Sequence, residues 1–124
     1  MKSLQRWVSR RRPWIFENSR LPVWLSHISP IEIFAFSFGP FVFCRDKLPE
    51  KTRTHEIIHY HQQLELLFVF QWLLYAVFWV IGLVKYRSGI MSYMNIPFEV
   101  EAYACEDDPT YLHYRPLWNW RHYL

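Results

Sequence analysis

Apolar and polar positions divide this chain into four stretches. Residues 1–30 mix arginines with tryptophans and are punctuated by Pro13, Pro22 and Pro30, which predicts a basic arm of short helical or extended pieces. In residues 31–53, Phe34, Phe36 and Phe38 alternate with smaller residues, Gly39-Pro40 breaks the run, and Phe41-Val42-Phe43 resumes it. That is the period of a strand, a turn and a second strand. The polar "RDKLPEKTRT" that follows is a loop in which Thr52 or Thr54 can cap a helix. Residues 54–87 contain no proline and predict one unbroken helix from about residue 53 to about residue 84. Its second half, 66–84, is polar only at Gln71 and long enough to cross a bilayer. Trp72, Tyr75 and Trp79 fall within it, and Lys85-Tyr86-Arg87 makes an interfacial stop. Residues 88–124 comprise an uncharged return segment, a short helix opened by Pro97 and ended by Pro109, and an aromatic, basic tail. The expected architecture is a single membrane-associated domain over 1–124, α+β and mostly helical.

Composition strengthens the membrane reading. Aromatic residues make up 20% of 124 positions, more than a domain of this size hides in its own core, so some are expected to face lipid or a partner subunit. The net charge of +3 is unevenly spread: residues 1–53 carry ten Lys/Arg against four acids, residues 54–124 four against seven. Trp7 and Trp14 interleave with the arginines of the arm, a pattern suited to an anionic membrane surface, and no nucleic-acid-binding motif accompanies it. The arm lacks the apolar run of a secretory signal. Cys44 and Cys105 form neither a disulfide framework nor a zinc-cysteine spacing, and two free thiols are expected.

The chemistry is concentrated where the loop meets the long helix. His55-Glu56-Ile57-Ile58-His59 places two imidazoles at i and i+4, on one helical face, where both reach one ion. Glu56 is rotated about 100° from them and sits beside the ion, where a general base for a metal-activated water belongs. Gln62 lies one turn beyond His59 on the same face and suits a supporting or substrate hydrogen bond. The Glu99 helix, "NIPFEVEAY", supplies a third ligand; Glu101 is the alternative, since the two cannot both face the ion. Tyr103 and Glu106 share the Glu99 face. His61 points away from the ligand face and is expected at the interface, and His27, His113 and His122 are isolated. A ferritin-like di-iron site needs a second E-x-x-H that the chain lacks. The aromatic strand before the motif can accept an extended peptide at its edge.

His55-Glu56-x-x-His59 followed by Phe98-Glu99-x-Glu101-Ala102 resembles the gluzincin arrangement, H-E-x-x-H with a downstream E-x-x-A-D, and most of all the membrane zinc metallopeptidases of the CAAX-prenyl-protease and heat-shock-protease type. The likeness covers two short segments. It implies a minimal zincin-like unit in which His55, His59 and Glu99 bind Zn2+ and Glu56 is the base. The family's aspartate four residues after its third ligand, which orients a ligand histidine, is Tyr103 in this chain; a tyrosine there can hydrogen-bond a ligand or stabilise an oxyanion. The "HxxQQ" and "FExEAY" segments also resemble those of short bacterial membrane proteins.

One geometric problem follows. A straight helix from His59 to Val84 rises about 38 Å, and Glu99 must return to His59 across residues 85–98, which stretch at most about 46 Å. The return requires a break near Gln71 or Gly82, a second short helix packed on the first, or another subunit. The uncharged "SGIMSYMNIPF" suits a re-entrant or two-helix membrane hairpin, with the basic arm and the metal site on the cytoplasmic side. The expected function is a membrane-embedded zinc metallopeptidase acting at the bilayer interface on a membrane protein or peptide. The alternative is a non-catalytic accessory subunit of a membrane complex, with a structural metal.

Overall fold

The computed structural model describes residues 2–29 and 33–124. Pro30 and the first two residues of the expected strand region, 31 and 32, lie outside the described residues. In chain order the elements are α1 (Lys2–Arg10), β1 (Trp14–Phe16), α2 (Leu21–Ser26), β2 (Ala35–Phe38), β3 (Phe41–Cys44), α3 (Glu50–Glu65), α4 (Val69–Tyr86), α5 (Gly89–Met94), α6 (Pro97–Cys105) and α7 (Tyr111–Tyr114), with a closing 3₁₀ turn, Asn119–Tyr123. The α+β, mostly helical expectation holds.

The aromatic hairpin forms with Phe38 opposite Phe41 across a two-residue loop. Gly39 takes φ +59°, and the ring of Pro40 forbids the second positive φ of a type I′ turn, leaving type II′. The sheet has a third strand that the pattern did not reveal. Trp14–Phe16 of the arm pairs in parallel with β3, giving the order β1-β3-β2 and leaving β2 at an edge. Phe16, Phe36 and Phe43 stack across the three strands.

The long helix is not continuous. It starts at Glu50, one turn earlier than expected, after Pro49 in extended conformation, so neither Thr52 nor Thr54 is its cap; Thr54 instead hydrogen-bonds back to the Glu50 carbonyl. Glu50 in the first turn complements the helix dipole. The helix then breaks between Glu65 and Val69, before either expected site, with Leu67 and Phe68 at φ +55° and +62°. The Phe68 amide donates to the Gln63 carbonyl and tightens the bend. No glycine or proline announces this reversal.

Beyond the bend α4 folds back over α3. The Trp72 indole N–H donates to Gln63 Oε1 at 2.9 Å, while Phe38 stacks on Trp72 with centroids 4.6 Å apart. Chain reversal at Arg87, in the left-handed region, and an N-cap at Ser88 then bring α5 back along α4. This is the two-helix return expected for residues 88–98. Close approach is permitted by Gly82: a Cβ there would lie 2.2 Å from Ser92 Oγ and 3.0 Å from its Cα. Gly82→Ala is therefore expected to cost about 1–3 kcal/mol by overpacking, read as a lower denaturation midpoint; an unchanged midpoint would show that the two helices do not need this contact. The path delivers Phe98 into a cluster with Ile96, Leu74, Phe78 and Trp120, and Glu99 follows it to α3.

Candidate metal centre

Glu99, on the first turn of α6, meets both histidines of α3. Its Oε1 lies 3.0 Å from His59 Nε2 and 3.2 Å from His55 Nε2, and the two Nε2 atoms are 3.1 Å apart. All three residues are buried. A tetrahedral ion with bonds of about 2.0–2.2 Å separates its ligand atoms by roughly 3.3–3.6 Å, so the triangle is close to one face of such a shell. This buried His-His-Glu group is able to hold a metal ion.

The far sides of the imidazoles make the donor set fit. His55 Nδ1 lies 2.7 Å from a carboxylate oxygen of Glu106, which accepts, so Nδ1 carries the proton. His59 Nδ1 lies 2.8 Å from Gln62 Oε1. The orientation of that amide is set by its other end: Gln62 Nε2 donates to the Phe98 carbonyl and to Glu101 Oε1. Both histidines are thereby held with Nδ1 protonated and Nε2 turned to the shared point, the arrangement metal-binding histidines adopt. Gln62 thus fixes the His59 ring and Glu106 the His55 ring.

Glu101 is not a ligand. It is fully buried on the other side of α6, held by Arg115 Nε at 2.5 Å and Nη2 at 3.0 Å and by the Tyr111 hydroxyl at 2.6 Å. Arg115 also reaches Glu65 at 2.7 Å. The sequence offered no sign of this cluster, because its partners lie far apart along the chain. Tyr75 and Tyr93 were equally hidden: their hydroxyls donate to Glu99 Oε2 at 2.7 Å and Oε1 at 3.3 Å, although Tyr75 reads in sequence as one aromatic of an apolar run. Tyr103 packs edge-on against the His55 ring and shares a hydrogen bond of 2.9 Å with the Tyr93 hydroxyl. His61 is not interfacial. It is completely buried with Nε2 donating to the Arg11 carbonyl, and burial pushes it down to about 4. His61 thus secures the end of α1 as a neutral ring.

A cavity of about 700 Å³ opens beside the triad, lined by Glu56 and by β2, α3 and α4. Glu56 is buried and hydrogen-bonds to none of the described residues; burial pushes its carboxyl above the ordinary range, opposed by the two histidines. The edge strand β2 forms one wall. Because the Arg45 amide bonds the Phe34 carbonyl, the hydrogen-bonded pairs with β3 fall at Phe34, Phe36 and Phe38, and Ala35 and Ser37 turn their backbone groups to the open edge. Gln63 fixes that edge to α3 by accepting from the Gly39 amide at 2.7 Å and donating to Ser37 Oγ at 3.1 Å.

Comparison with known protein families, with curated proteins and with solved structures finds no match.

Proposed function

We infer that this chain is a metal-dependent hydrolase, a zinc metallopeptidase of minimal size that works at a membrane surface on the cytoplasmic side. The observation that carries the reading is Glu56: a buried acid without a partner among the described residues, facing a cavity beside a His-His-Glu group. A site that only staples α3 to α6 has no use for that acid, which weighs against the accessory-subunit alternative. When bound, the ion supplies Lewis acidity to a carbonyl and to a water. His55, His59 and Glu99 hold it, and Glu106 and Gln62 keep the histidine tautomers in place. Glu56 accepts the proton of the attacking water. The free edge of β2 receives an extended peptide, Ala35 and Ser37 pairing with its backbone. Tyr93 and Tyr103 line the Glu99 side of the cavity, and Tyr103, on releasing the Tyr93 oxygen, donates its hydroxyl proton to a developing oxyanion.

The deciding experiment measures bound zinc and hydrolysis of labelled casein and quenched peptides by the zinc-loaded chain in detergent or vesicles. Glu56→Gln is expected to retain zinc while cleavage falls by about 10²–10⁴. A wild-type chain that takes up no zinc, or that holds zinc and cleaves none of these substrates, sinks the reading.

A further inference from the structure

α4 is the one helix among the described residues long and apolar enough to cross a membrane, yet its surroundings oppose a crossing orientation. Phe70, Leu73, Val77, Val80, Ile81 and Val84 are each 50–77% exposed. Their spacing puts them on one face over a rise of about 21 Å. The opposite face carries Gln71, Tyr75 and Gly82, which turn toward the metal centre and α5. The site thus lies across from the middle of α4, not beyond either end.

The polar end of α3 is carried the same way. Gln63 bonds Trp72, and one turn away along each helix His59 and Tyr75 meet the same carboxylate, so α3 and α4 run in opposing directions. Going back along α3 means going forward along α4, and Thr52 and His55 share the cavity with Trp79. Beyond them Lys51, 59% exposed, pairs with Glu106 and with the 76% exposed Asp107. One turn back from His55 sets this pair near the Lys85 end of α4, whereas the open cavity, with Glu56 and the metal-binding group, lies level with Tyr75 and Trp79. An upright α4 would hold that polar cavity level with its apolar middle, in hydrocarbon, where ionisable groups are strongly disfavoured.

The geometry points to a different seat: α4 lies in the plane of the membrane, its apolar face sunk into one leaflet of an anionic bilayer and the metal cavity above it on the water side. Helices of this kind sink about 5–10 Å, to the headgroup–acyl boundary. Lys85 and Arg87 at the end of the stripe then meet lipid phosphates, with the Lys85 ammonium over the Tyr86 ring at 5.2 Å. Ile90, Met91 and Met94 of α5 add exposed apolar surface next to that end. A substrate in this arrangement reaches the β2 edge from the membrane surface.

The test uses the full chain with Cys105→Ser, the buried Cys44 retained, and Val77→Cys or Arg87→Cys bearing an environment-sensitive fluorophore. It is mixed with vesicles of phosphatidylcholine containing phosphatidylglycerol and lipids spin-labelled at shallow or deep acyl positions. The expected result is flotation with the vesicles, stronger quenching of both sites by the shallow label, and labelling of Arg87→Cys from the outside only. Deep quenching at Val77 with Arg87→Cys reachable from the lumen would establish a span and overturn the proposal. So would a chain that self-associates without binding vesicles. The paired change Val77→Asp and Val80→Asp, on exposed positions, is expected to weaken vesicle binding at least tenfold while zinc uptake persists; unaltered binding also overturns it. Glu56→Gln is expected to float as the wild type does, so failure of the hydrolytic reading and failure of this one are separately visible.

Discussion

Arg115→Met is expected to destabilise the chain by about 3–5 kcal/mol, read from the denaturant midpoint at neutral pH. The guanidinium is 3% exposed and grips Glu101 through two N–H groups and Glu65 through a third. Its loss leaves two carboxylates in one dry pocket. The two are not equally served. Burial raises both, but Glu101 also accepts from Tyr111 and Gln62 and is driven below the ordinary range, whereas burial prevails at Glu65 and its carboxyl is raised. The lowered pKa of Glu101 stabilises the fold above the unfolded carboxylate range, and that stabilisation is lost as pH falls through the folded value. The gap between wild type and variant should accordingly be widest at neutral pH and shrink in acid. Adding Glu101→Gln to Arg115→Met should recover part of the loss, as coupled partners do. An Arg115→Met chain with an unchanged midpoint would show that the cluster contributes nothing. Arg115→Lys should recover less than full stability, since a single ammonium cannot reproduce the two-pronged grip.

The same cluster shows how far the sequence could be read. The i, i+4 histidines and the adjacent glutamate are written locally, because the geometry of one helix is enough to bring them together. The choice between Glu99 and Glu101 is not local. It is settled by Arg115, fourteen positions beyond Glu101 and inside a tail that reads as merely basic and aromatic. Gln62 was legible as a helper of the site, but its direction depends on Glu101 and hence on the same arginine. Glu106 was visible on the Glu99 face, and its contact with His55 follows from α6 lying against α3.

The fold was legible where turn chemistry is explicit and illegible where it is not. Gly39-Pro40 names a hairpin. Leu67 and Phe68 name nothing: positive φ at two bulky residues is unfavourable in isolation, and here the bend is held by what surrounds it, Gln63 accepting from the Phe68 amide, the Trp72 indole and the Gly39 amide. A local reading therefore runs α3 into α4 as one rod and then needs a long return for Glu99. The reversal at Leu66–Phe68 removes most of that distance. The short α5 supplies the remainder, its close contact permitted by Gly82. β1 was hidden because three residues of a basic arm carry no period, and only parallel pairing to β3 defines them.

Zinc affinity is expected to rise about tenfold per pH unit up to roughly pH 9 and to level off above it. In the metal-free chain burial lowers the basicity of His59, but the Glu99 carboxylate at 3.0 Å outweighs it, and the imidazole is raised to about 9. At neutral pH the apo site therefore holds one proton between His59 and Glu99, and a metal must displace it, since the ligand is the neutral ring. Titrating zinc into weakly buffered protein at pH 7 should release about one proton per ion bound, and the apparent affinity at pH 7 should be about fiftyfold below that at pH 9. The stability of the apo fold runs the other way. A histidine whose pKa rises from 6.5 to about 9 on folding contributes about 3 kcal/mol below the unfolded value, and this is lost as pH climbs through 9. Zinc and the proton thus compete for one position, and each is strongest where the other is weak. His59→Gln removes the titrating group, so both slopes should vanish together with at least a hundredfold of the zinc affinity at pH 9. A pH-independent affinity in the wild type, or zinc uptake without proton release at pH 7, would mean that the ion binds elsewhere than at His55, His59 and Glu99.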